Sequence, residues 1–271
     1  MTRLQIAYSP CPNDTFVFHA WAHGVLPDAP ALDVTFADID ITNTAAERGE
    51  LDVVKVSYAA LPWLLDKYEL LPSGGALGRG CGPLVLSRGD IPSVDGRTVA
   101  VPSERSTAYL LFRLWATGQR PARIDVVPFA SIMPAVRDGR YDAGLVIHEA
   151  RFTYQDYGLT SLVDLGEWWE GDTGLPIPLG AILARRGLDT AALAAAARAS
   201  VEHAWANPSA SAAYVAEHAD EMSPDVQQRH IALYVNEFTR DLGEEGYAAV
   251  DGLLTRAAAA GLTPTGYPRI L

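Results

Sequence analysis

Short apolar runs alternate with helix-patterned segments along almost the whole chain, which restricts it to an α/β fold. Residues 4–8, 32–36, 53–56, 84–86, 99–102, 126–129 and 143–147 read as strands. Residues 16–24, 42–48, 61–67, 106–114 and 132–137 read as helices between them. That order predicts a largely parallel sheet. From Leu188 onward the pattern is alanine-rich and helical, with helices expected at 189–207, 226–237 and 246–260.

One segment occurs twice. Arg48-Gly49-Glu50-Leu51-Asp52-Val53-Val54-Lys55-Val56-Ser57 is echoed by Asp138-Gly139-Arg140-Tyr141-Asp142-Ala143-Gly144-Leu145-Val146-Ile147. Each runs from a helix through a glycine cap and an aspartate into an apolar strand, so two related α/β units facing a cleft are expected. The glycines from Gly74 to Gly82 mark one crossing between them, and Pro176 and Pro178 ahead of Leu179-Gly180-Ala181 mark the return. The first lobe is expected to hold residues 1–85 and 183–271, and the second 86–182.

The loop Ser9-Pro10-Cys11-Pro12-Asn13-Asp14-Thr15-Phe16 follows the first strand. Two prolines stiffen it, and Asn13 or Asp14 can cap the helix beyond. Ligands of open α/β sheets bind past the carboxyl ends of strands, so Asn13 and Asp14 are expected to line a ligand. A net charge of −12 with no Lys/Arg run argues against nucleic acid and against an anionic membrane surface. Local positive charge for a small anionic ligand comes from Lys55, Arg79 and Arg105. No apolar leader precedes the first strand and no run is long enough to span a bilayer, which points to the cytoplasm. Cys11 and Cys81 make neither a disulfide framework nor a metal-binding spacing. The glycine-rich stretch lacks the lysine of a phosphate loop.

His148 is the best acid–base candidate. Imidazole exchanges protons near neutral pH, and His148 directly follows the apolar run Leu145-Val146-Ile147 at a strand mouth. Glu149, Arg151, Thr153 and Tyr154 follow and can orient a ring or a substrate. His19, His23, His203, His218 and His230 fit solvated or capping roles on helices. Ser57 at a strand end and Thr107 at a helix start carry hydroxyls suited either to capping or to a carboxylate. No nucleophile elbow, paired-carboxylate motif or zinc signature occurs, which leaves proton transfer, elimination or plain binding.

Five blocks in order carry a resemblance: Ser9-Pro10-Cys11-Pro12-Asn13-Asp14-Thr15-Phe16, Lys55-Val56-Ser57-Tyr58, Ser73-Gly74-Gly75-Ala76-Leu77-Gly78, Ile147-His148-Glu149-Ala150-Arg151-Phe152-Thr153-Tyr154 and Leu179-Gly180-Ala181-Ile182. Together they resemble the 1,4-dihydroxy-6-naphthoate synthases of the futalosine route to menaquinone. The resemblance implies a two-lobe α/β fold like the type II periplasmic binding proteins, with a central cleft. It implies a lyase that converts cyclic dehypoxanthinyl futalosine to 1,4-dihydroxy-6-naphthoate. It makes His148 the base, with Lys55, Val56, Ser57, Ser106, Thr107 and Ala108 at the substrate, and it requires no metal or redox cofactor. The rival readings are chorismate dehydratase of the same pathway, opposed by the Ser-Pro-Cys-Pro-Asn-Asp block, and a non-catalytic solute-binding protein, opposed by His148.

Overall fold

The computed structural model describes residues 3–219, 223–268 and 270. In chain order it begins with β1 (Leu4–Tyr8), α1 (Pro12–Ala22), β2 (Leu32–Phe36), α2 (Ile39–Arg48), β3 (Val53–Ser57), α3 (Leu61–Leu64) and β4 (Tyr68–Gly78). Next come β5 (Leu84–Ser87), β6 (Thr98–Val101), α4 (Thr107–Trp115), β7 (Arg123–Val126), α5 (Phe129–Arg137), β8 (Ala143–Val146), α6 (Ala150–Thr153), β9 (Thr160–Asp164) and α7 (Leu165–Thr173). The chain ends with β10 (Ile177–Arg185), α8 (Thr190–Ala206), α9 (Ala212–His218), α10 (Pro224–Tyr234), α11 (Glu237–Arg240) and α12 (Gly243–Ala259).

Two compact units result. One is Met1–Gly78 with Pro178–Leu271, the other Arg79–Ile177. The borders therefore fall at 78/79 and 177/178, not at 85/86 and 182/183. Pairing explains the shift: β5 hydrogen-bonds to β8 and β9, whereas β10 hydrogen-bonds to β3. Each unit has one five-stranded sheet, ordered β2-β1-β3-β10-β4 in the first and β7-β6-β8-β5-β9 in the second. The two orders have the same plan.

The sheets are mixed, which corrects the largely parallel expectation. β1 runs parallel to β2 and β3, and β6 runs parallel to β7 and β8. β10 is antiparallel to β3, and β5 is antiparallel to β8 and β9. Parallel neighbours need a crossover, usually a helix. β5 and β10 instead enter their sheets from the other unit, β5 directly after β4 and β10 after α7, so neither needs a crossover within its own sheet.

The sequence echo has a structural counterpart. Gly49 and Gly139 end α2 and α5 with left-handed backbones, φ 73° and 78°. In the first unit the Asp52 carboxylate accepts from the Gln5 amide at 2.9 Å. In the second, Asp142 accepts from the Thr98 amide at 2.8 Å. Each aspartate thus ties its strand to the neighbouring parallel strand at the same register. The hydrogen bond to Thr98 holds the Asp142 carboxyl below its ordinary range.

Two other expectations shift. α1 starts at Pro12, four residues early, because proline suits the first helical position, where its missing N–H costs nothing. The cap position is Cys11, whose side chain makes no capping bond, so neither Asn13 nor Asp14 is the cap. The crossing expected between Gly74 and Gly82 falls at 78/79, but Ser73-Gly74-Gly75-Ala76-Leu77-Gly78 ahead of it is the second half of β4. A Cβ on Gly75 would lie 2.8 Å from the Gly180 carbonyl oxygen, so a strand fits there only with glycine.

The first unit's core joins β1, β2, β3, β10 and α1 to α8, α9 and α10 through Ile6, Phe18, Trp21, Val53, Ile182, Val201 and Ile231. α1 is buried on nearly every face. The second unit packs Leu84, Leu86, Ala100, Ile132, Val136 and Val146. No helix among the described residues is long and apolar enough to cross a membrane.

Candidate functional site

In the first unit the groups of interest follow β1 and end β3, neighbouring parallel strands whose carboxyl ends share one end of the sheet. Asp14, in the first turn of α1, is 1% exposed. Its carboxylate accepts from the Ser9 hydroxyl at 2.7 Å, from the Asn13 amide nitrogen at 2.8 Å and from the Lys55 ammonium. A buried carboxylate of this kind is stable only when its lone pairs are met by such donors. Lys55 rises from the middle of β3 past Gly180 of β10, where a Cβ would stand 2.8 Å from the lysine Cε. The Asn13 carbonyl oxygen is 3.0 Å from Nε2 of His230 on α10.

Ser57 ends β3 and is held from two sides by Asn43 of α2. The Ser57 amide donates to the Asn43 carbonyl oxygen at 2.9 Å, and the Asn43 amide donates to the Ser57 hydroxyl at 3.3 Å. Asn43 thereby fixes the hydroxyl rotor of Ser57. Val56 is fully buried and pairs with Ala181, so it can offer a ligand only its backbone.

In the second unit the equivalent places are the start of α4, which follows β6, and the turn after β8. Ser106 caps α4: its hydroxyl accepts from the Tyr109 amide at 3.1 Å and donates to the Ser103 carbonyl at 3.3 Å. Both capacities of that hydroxyl serve the cap. Thr107 and Ala108 form the first turn, both buried, at the electropositive end of the helix.

His148 follows β8 by two residues and has φ 54°; among the described residues it alone has a positive φ without being glycine. Side chains rarely adopt that backbone, although histidine is among those that do so most often. Its ring meets the edge of Phe129 at 5.8 Å between centroids. The turn is anchored by Arg151, which donates to the Gly82 carbonyl at 2.9 Å and to the Asp164 carboxylate at 2.5 Å. The other oxygen of Asp164 caps α7 through the Gly166 and Glu167 amides. Tyr154 packs its ring on the second unit's core and also lines a depression of about 720 Å³ with Arg151, Glu167 and Trp168.

Asn13, Asp14 and Lys55 thus form one hydrogen-bonded group, with Ser57 two residues farther along the same strand. Ser106, Thr107, Ala108 and His148 share one end of the second sheet. Arg79 pairs with Glu170 at 3.6 Å. Cys81 is buried, and burial pushes its thiol up to about 12. No group of three His, Cys, Asp or Glu residues among those described is set to hold a metal ion. Three participants were not picked out from the sequence: Ser9, Asn43 and His230. His230 sits among Gln227, Gln228 and Arg229 and reads as solvated, yet it is fully buried. The readable signal was Ile231 and Tyr234, which set an apolar face that includes position 230.

A family model described as menaquinone biosynthesis matches residues 4–259. The chain is 70% identical to a 1,4-dihydroxy-6-naphthoate synthase of Streptomyces coelicolor, over 99% of this chain and 97% of that protein. It is 48% identical to a synthase of the same name from Thermus thermophilus, over 97% and 96%. Among solved structures, a protein of Archaeoglobus fulgidus superposes with TM-score 0.89 at 34% identity, covering 96% of this chain and 98% of the other. The alkanesulfonate-binding protein SsuA of Xanthomonas axonopodis superposes with TM-score 0.72 at 16% identity, covering 98% and 95%. The second likeness shows the fold alone, which is the two-lobe fold of the periplasmic binding proteins.

Proposed function

The chain belongs to the menaquinone biosynthesis family, and from that we propose that it is the lyase that turns cyclic dehypoxanthinyl futalosine into 1,4-dihydroxy-6-naphthoate. The observation that carries the proposal is 70% identity along nearly the full length of a synthase of that name. In this reading His148 takes a proton from the substrate. The carbon–carbon bond to the sugar-derived fragment then breaks, and the electrons left behind make the naphthoate ring aromatic. Aromatisation supplies the driving force, and the scheme uses no redox step.

The local geometry supports those roles. Imidazole is basic enough at neutral pH to accept a proton and return it. A left-handed backbone that Arg151 and Asp164 hold in place is the kind of strain that persists where a side chain must be aimed. Ser57, at the end of β3 and oriented by Asn43, and Thr107, at the start of α4, each offer a hydroxyl suited to a substrate carboxylate. Lys55 acts there as half of a pair with Asp14, so its part is to shape the pocket and donate hydrogen bonds, not to bring a free charge. Ser106 contributes through the helix it caps. Val56 and Ala108 contribute backbone groups, and Tyr154 an aromatic wall.

The test is incubation of the purified protein with the cyclic substrate, with chorismate in a parallel reaction, followed by mass detection of products. Naphthoate from the first and no dehydration product from the second is expected. Dehydration of chorismate would assign the chain to the other reaction. Binding without conversion of either would make it a solute-binding protein.

A further inference from the structure

We propose that His230 is a positioning residue for the Asn13–Asp14–Lys55 group, a role that rests on the assignment of that group to the substrate site. The two ends of the contact, Asn13 and His230, are 217 residues apart in the chain. The Asp14 carboxylate only accepts, so the Asn13 group 2.8 Å from it must be the amide NH2. That leaves the Asn13 carbonyl oxygen facing Nε2 of His230 at 3.0 Å. A carbonyl oxygen only accepts, so the His230 proton toward it sits on Nε2. The donors then run in one direction, from His230 to Asn13 to Asp14, and Lys55 donates to the same carboxylate.

All four side chains are at most 7% exposed, so no bulk water replaces a missing member. Without the Nε2 donor the Asn13 oxygen is left buried and unmet, and turning the amide over would set its oxygen against the carboxylate. α10 thus fixes, through one imidazole N–H, the direction in which the Lys55 ammonium points. A lysine that orients substrate affects binding more than the proton transfer that His148 performs.

The experiment compares His230→Leu with His230→Gln in steady-state turnover of the cyclic substrate. A glutamine amide nitrogen can stand where Nε2 stands. His230→Leu is expected to lose roughly ten- to a hundredfold in kcat/KM, mainly through KM. His230→Gln is expected to recover most of that loss. Equal damage in both variants, or unchanged KM in His230→Leu, would overturn the proposal. A readout independent of folding and of turnover is ¹⁵N NMR of the wild-type imidazoles: His230 protonated at Nε2 supports the role, and a proton on Nδ1 alone refutes it. A wild-type protein that does not convert the substrate, yet shows the Nε2 proton, would instead sink the functional assignment.

Discussion

His148 combines a demanding backbone with a reactive side chain, so its substitutions separate stability from chemistry. Glycine and asparagine tolerate φ near 54°, whereas a β-branched residue does not. His148→Asn and His148→Gly are expected to unfold within about 1 kcal/mol of wild type, and His148→Val to be about 2 kcal/mol less stable. Chemical denaturation checks that order, and a valine variant as stable as asparagine would mean the turn relaxes. Asp14 is the other residue where one change has a large expected cost. Asp14→Asn leaves the Lys55 ammonium buried without its counter-charge, and such losses run at about 3–5 kcal/mol. Adding Lys55→Met should restore most of the stability while leaving substrate affinity poor. If the double variant were no more stable than Asp14→Asn alone, the pair would not be the source of the loss.

Among the elements, those with clean periodicity were legible in the sequence. β1 and β2 lie at the expected residues, and the repeated helix–glycine–aspartate–strand segment is a repeated structure. β4 was not legible, since its glycines carry no side chains to show a period; Gly75 is there because Gly180 and Tyr58 crowd it, and Gly74 because its backbone is left-handed at φ 88° against Ile182 and Phe18. The antiparallel placing of β5 and β10 was not legible because direction depends on which unit a strand returns to, which local pattern does not encode. The Ser9–Phe16 loop was legible as a cluster, but His230 against Asn13 and Asn43 against Ser57 were not, because each is defined by a contact distant in sequence. Close approach of elements also makes a prediction. A Cβ at Gly82 would stand 2.1 Å from the Gly166 amide nitrogen, where α7 begins. Backbone cannot step aside as a side chain does, so Gly82→Ala is expected to destabilise the second unit by about 3 kcal/mol. Hydrogen exchange should show the loss in β5 and β9; unchanged protection there would contradict that close approach.

For the molecule as a whole, buried acids that stay protonated set an alkaline limit. Burial raises the Cys81 thiol from 9.0 to about 12 in the folded chain, and it raises the Tyr8 and Tyr58 phenols beyond their ordinary 10.0. Above pH 9 the unfolded chain gives up the Cys81 proton while the folded chain keeps it. Stability is therefore full below pH 9 and falls by about 1.4 kcal/mol per pH unit for each such group between its two values. Denaturation midpoints from pH 8 to 11 check this, and Cys81→Ala should flatten the first part of the decline. A flat profile in the wild type would mean that these groups are reached by solvent. The proposed activity and the role of His148 are tested together by a single measurement: the single-turnover rate of naphthoate formation from the cyclic substrate, in wild type and in His148→Asn. The expected result is conversion by wild type, a rate roughly 10²–10⁴-fold lower in the variant, and naphthoate affinity close to wild type in both. Equal rates in the two proteins would contradict His148 as the base, and no naphthoate from wild type would contradict the function itself.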